Sequence, residues 1–122
     1  MDDLLRRLID VDYKPEKDVN MTRFGVFRIC ALNDAELSEV RERATFGKTT
    51  DIDVFRAAVI AKGCMSPAWD NAELLAGLKA TDAIDAVTKR LLPGEREMLA
   101  DSIMVLSGYG GDEAKVVDEL KN

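Results

Sequence analysis

The 122 residues are 47% hydrophobic and 33% charged, with 23 acidic side chains against 17 basic ones and no histidine. That balance excludes a disordered tail, and a net charge of −6 argues against a nucleic-acid partner, whose phosphates reward clustered Lys and Arg. No apolar run approaches the roughly 18 residues that a membrane helix requires, so no membrane role is expected either. The start, Met1-Asp2-Asp3, is acidic and lacks the basic region and apolar core of a secretory signal. With one Trp, two Tyr and four Phe, the core must be mostly aliphatic.

Residues 2–9 place Leu4, Leu5, Leu8 and Ile9 on one face of a short helix, which is marginal alone and must dock on its own domain or on a partner. Residues 10–18 read as a loop. Over 26–32 the pattern alternates, with Phe27, Ile29 and Ala31 on one face and Val26, Arg28 and Cys30 on the other. That is a half-buried strand, and residues 19–24 are the candidate partner in a small hairpin. The locally basic run of Lys14, Lys17, Arg23 and Arg28 is interrupted by Glu16 and Asp18 and reads as a solvated strand edge.

The remainder is helical. Asn33 with Glu36 forms a capping-box pattern ahead of Leu37, Val40 and Ala44, and Gly47-Lys48 breaks that helix. Thr50 or Asp51 caps the next, with Ile52, Phe55 and Val59 as its stripe and Gly63 and Pro67 at its close. A short turn of helix runs from Asn71 to Ala76 and stops at Gly77. Thr81 caps a helix carrying Ile84, Val87 and Leu91. The Pro93-Gly94 pair then stops one helix and lets another restart, carrying Leu99, Ile103 and Leu106. Gly108, Gly110 and Gly111 end it, and Asp112 caps a last helix with Val116, Val117 and Leu120 as its apolar positions. The expected fold is mainly α: a compact helical bundle with a small N-terminal β strand or hairpin at about residues 19–32. Residues 1–18 form an N-terminal helix and linker, and 19–122 a single mainly helical domain.

Chemistry is scarce. Without histidine the commonest general base and metal ligand are missing, and two distant cysteines, Cys30 and Cys64, do not make a zinc site. They read as free thiols. Asp51 and Asp53 would point about 200° apart on a helix, which suits a cap and first-turn charge rather than a shared ion. Gly108-Tyr109-Gly110-Gly111 is followed by Asp112-Glu113, which would repel phosphate, so it reads as a helix end. Trp69 suits either an interface anchor or a cover folded back over the core, and the second is the commoner use. No enzyme activity, metal or cofactor is expected.

Taken in order, Arg23 to Leu32 leading into Asn33-Asp34-Ala35-Glu36, Ile60 to Pro67, Asn71 to Leu75, Leu91 to Glu95, Leu106-Ser107-Gly108 and the closing Glu119-Leu120-Lys121-Asn122 resemble the XkdN-like family of phage tail assembly chaperones. The resemblance spans residues 19–122. It departs from the family in the short candidate partner strand, Val19-Asn20-Met21, and in residues 1–17, which have no clear counterpart.

The resemblance implies a non-catalytic protein of a bacteriophage or prophage that binds the tape measure protein, and the tail tube protein with it. It implies a place in the host bacterial cytoplasm, absence from the mature virion, self-association as a homo-oligomer, and a second, longer form made by frameshift. The candidate protein-binding residues are the apolar sides of the end helices: Leu4, Leu8 and Ile9, or Val116, Val117 and Leu120. The alternatives are a structural head-tail or tail-completion protein of the particle, or a small acidic protein-binding adaptor.

Overall fold

The alternating segment grows into a sheet larger than its own periodicity announces. In the computed structural model, which describes residues 2–10 and 14–109, strand β1 (Glu16–Met21) pairs antiparallel with β2 (Gly25–Cys30), with Val19 opposite Phe27 and Met21 opposite Gly25. A third strand, β5 (Cys64–Ser66), joins the other side of β2, giving the order β1-β2-β5, with a register irregularity between Arg28 and Ile29. A separate two-stranded turn, β3 (Thr45–Phe46) and β4 (Thr49–Thr50), closes around Gly47 at φ 66°. Glycine tolerates that left-handed conformation at no steric cost.

Among the described residues six helices accompany these strands: α1 (Asp3–Asp10), α2 (Asp34–Ala44), α3 (Ile52–Gly63), α4 (Ala72–Leu78), α5 (Ala83–Arg90) and α6 (Pro93–Leu106). Most start on a cap written in the sequence. Asn33 and Glu36 form the expected reciprocal capping box of α2. Asp51, not Thr50, caps α3 by accepting from the amides of Asp53 and Val54 at 2.9 and 3.2 Å. Asp82, not Thr81, caps α5 through the Asp85 amide at 2.8 Å. Helix α6 opens on Pro93 itself, since the first helical position needs no amide donor. Glu95 there accepts from the Leu92 amide at 2.8 Å.

The fold is therefore mixed α and β, and the expectation of a mainly α bundle with one N-terminal hairpin is corrected. Three misreadings account for it. Residues 16–18, expected as linker, are strand, so the hairpin pairs six residues on each side and the short partner strand anticipated from Val19-Asn20-Met21 does not hold. Residues 64–66, read as a helix end running into the Pro67 loop, are strand β5. Residues 45–50, expected only as a break between helices, form the β3–β4 pair. Apart from these, α4 runs past Gly77 to Leu78 and is capped by Lys79, held at φ 54°.

The core lies between one face of the sheet and the helices. Met21, Phe27 and Ile29 point into it from the strands, Val59 and Ile60 from α3, Val87 from α5, and Leu99 and Ile103 from α6. Helix α3 packs against α2, α5 and α6, which is why Ala57 through Ile60 are buried in an unbroken run instead of on one stripe. Gly63 makes the closest approach. A β-carbon there would sit 2.7 Å from Cγ2 of Ile103 and 3.3 Å from the Cys30 carbonyl, so its lack of a side chain lets α6 seat against the end of α3.

Candidate functional site

Of the six residues expected to bind a partner, the structure places three. Leu4, Leu8 and Ile9 lie on α1 at 62%, 70% and 66% exposure, and Leu5 joins them at 49%. No residue of α1 is buried. Its start is capped by Asp2, whose carboxylate accepts from the Leu5 amide at 2.8 Å, and Arg7 donates to the Asp3 carbonyl. The start of the helix is thus capped while its apolar face lies open to water. Val116, Val117 and Leu120 lie outside the described residues.

A second apolar surface was not foreseen. Phe24 in the β1–β2 turn and Val26 on the outer face of β2 are 43% and 63% exposed. With Pro67, Trp69 and Leu74 they line a groove of about 380 Å³ that Arg90 borders. Nothing local marks it, because its walls come from the hairpin, the loop after β5, α4 and α5. Trp69 itself covers the core, at 3% exposure, with its ring edge-on to Phe27 at 6.1 Å between centroids.

Arg23 ties this region to α6. Its guanidinium donates to both carboxylate oxygens of Glu95, through Nε at 2.9 Å, and to the Arg90 carbonyl at 3.2 Å. It also lies 4.6 Å from the centre of the Phe24 ring. The Arg23 hydrogen bonds, then the Leu92 amide, hold the Glu95 carboxyl down to about 2. At the other end of α6, Ser107 Oγ accepts from the Leu32 amide at 2.8 Å and donates to the Ile103 carbonyl. The basic run noted in the sequence is balanced in place, with Arg28 on Glu16 and Asp18, and Lys14 on Glu36.

Cys30 and Cys64 are free thiols on adjacent strands, and burial pushes Cys64 up to about 11, far from a reactive thiolate. The Trp69 indole beside that thiol tempers the rise, and its buried N–H has no hydrogen-bond partner among the described residues. Asp51 and Asp53 serve the start of α3. Among the described residues, no three His, Cys, Asp or Glu side chains are grouped to hold a metal ion. No described helix is long and apolar enough to cross a membrane. The exposed apolar area on this acidic molecule includes α1 and the groove, together with Phe46 and Ile52 beside the β3–β4 turn and Met98 and Val105 on α6.

The sequence model of the phage XkdN-like tail assembly chaperone protein matches residues 1–121. The chain belongs to that family. The match takes in the N-terminal helix and the first residues of strand β1, 16–18, which the sequence resemblance had left aside. The crystal structure of the protein yqbn has the same fold, with a TM-score of 0.72 at 17% identity over 85% of this chain and 95% of that one. No curated protein sequence matches the chain. No residue of α1 belongs to the core, whereas the groove is walled in part by the core residues Phe27 and Trp69 and opens outward at Phe24 and Val26.

Proposed function

We propose that this tail assembly chaperone works without catalysis by holding the phage tape measure protein, and the tail tube subunits that gather on it, through apolar contacts. The observation that carries the reading is α1, with Leu4, Leu5, Leu8 and Ile9 exposed together and nothing of the helix buried. An eight-residue helix gains little from its own hydrogen bonds, so the face is worth having only if a partner covers it. Covering each large aliphatic side chain contributes on the order of 1.5–3 kcal/mol before the cost of ordering the client. An amphipathic client helix laid along that stripe fits the arrangement, and the net charge of −6 keeps the complex from aggregating. Val116, Val117 and Leu120 are proposed as a second contact face on sequence grounds. The setting is the host bacterial cytoplasm, where self-associated copies would line a long client and leave before the particle matures.

Co-expression with the tape measure protein encoded beside it tests the reading. The client should become soluble and co-purify with the wild-type chain, and should be lost with Leu4→Asp/Leu8→Asp. A client that precipitates regardless overturns the proposal. Recovery of the chain from purified particles would favour a structural tail component instead.

A further inference from the structure

We propose that the groove bordered by Arg90 takes an aromatic or aliphatic client side chain that has a carboxylate close beside it in sequence. The inference rests on the client-holding reading and names the chemistry of one contact within it. Its volume, about 380 Å³, lies near the lower end of the roughly 300–1,000 Å³ typical of ligand pockets, enough for a side chain or two and too little for a whole helix. Phe24, Val26, Pro67, Trp69 and Leu74 make it apolar. Phe24 and Val26 remain substantially exposed at its edge, so filling it removes apolar surface that the fold itself leaves wet.

The charge at the rim identifies the occupant. The molecule as a whole is acidic, but among the described residues Arg90 is the one charged side chain that lines this groove, while Arg23, beside the Phe24 ring, is held by Glu95. Arg23 already engages that carboxylate with two hydrogen bonds and packs against the Phe24 ring, which holds one wall in position. The Arg90 side chain, by contrast, makes no hydrogen bond or ion pair among the described residues, although it lines the groove. An apolar anchor with an adjacent Asp or Glu would fill the cavity and satisfy Arg90 in one step. A Lys or Arg at that place would meet like charge.

Trp69 is the chain's one tryptophan and lines the groove, so its emission reports occupancy directly. The test titrates overlapping peptides tiling the tape measure protein into wild type and into Arg90→Glu, an exposed position whose carbonyl contact with Arg23 does not depend on its side chain. Peptides with an aromatic or aliphatic residue beside Asp or Glu should shift the Trp69 emission. Replacing that acid by Lys should weaken binding at least tenfold, and Arg90→Glu should reverse the preference. Binding that leaves the emission unchanged, or that ignores both charge changes, overturns the groove. Co-purification of the full tape measure protein separates the two failures. If Val26→Asp and Arg90→Glu still carry it as wild type does, the groove is wrong and the chaperone reading stands. If wild type does not carry it, both fall.

Discussion

Helix α1 holds four large apolar residues in eight and buries none, whereas α6, with a similar stripe over fourteen residues, buries Leu99, Ala100 and Ile103. The difference lies in what meets each stripe. Ile103 enters the notch left by Gly63, and both ends of α6 are fastened, by Arg23 to Glu95 at the start and by Ser107 to the Leu32 amide at the finish. The side-chain bonds of α1 stay within the helix and its cap. A stripe at helical spacing says that a face wants covering. Which face covers it depends on residues tens of positions away.

The contrast breaks most readily at the notch. Ile103→Ala should cost about 2–5 kcal/mol in urea unfolding, because the site is fully buried. Gly63→Ala should cost about 1–3 kcal/mol, since the new methyl meets a packed side chain and a backbone carbonyl. The two losses should fall well short of additive when combined, because removing Cγ2 makes the room that the alanine needs. Full additivity would mean that Gly63 matters for something other than this contact.

At the far end of α6, Ser107→Ala leaves the Leu32 amide without its partner and should lower stability by about 1–3 kcal/mol. Amide exchange at Leu32 should quicken beyond what the global loss explains. At the near end the signature is in pH. Glu95 is held at about 2 against an ordinary 4.5, so its contribution is complete above about 4.5 and is lost as the pH falls through about 2. Glu95→Gln should flatten that part of the acid limb while changing the profile above neutrality little. The smallest effect belongs to α1. Leu8→Asp should shift folding stability by no more than about 0.5 kcal/mol, the usual range for an exposed site. A larger loss would show that α1 is covered by its own chain after all.

Much of this molecule was readable along the sequence wherever the cause is local. The capping box at Asn33, the alternation through Phe27, Ile29 and Ala31, and the apolar stripes of α6 and α1 all arise within a few residues of where they act, whereas the exposure of the α1 stripe does not. Strand β5 does not. Cys64-Met65-Ser66 is too short to show a period and is a strand only because β2 lies beside it, paired from residues some 35 positions earlier. Residues 16–18 misled for a related reason: Glu16-Lys17-Asp18 is polar because it forms the outer strand of a sheet, and charge at an edge looks like a loop. The groove was invisible because four separate segments build it, and nothing in the sequence marks Arg90 as lining it without an ion-pair partner among the described residues.

The clasp between Arg23 and Glu95 joins residues 72 positions apart, and it gives the molecule an order of assembly. On a ribosome the β1–β2 hairpin emerges whole long before the helix that fastens it exists. Until α6 arrives, Gly63 faces an empty notch, the Leu32 amide lacks its hydroxyl, and Arg23 has no carboxylate to hold. The apolar face of α1, proposed above as the client contact, is by then already in the open, so on that proposal the binding element is translated before the helix that completes the core.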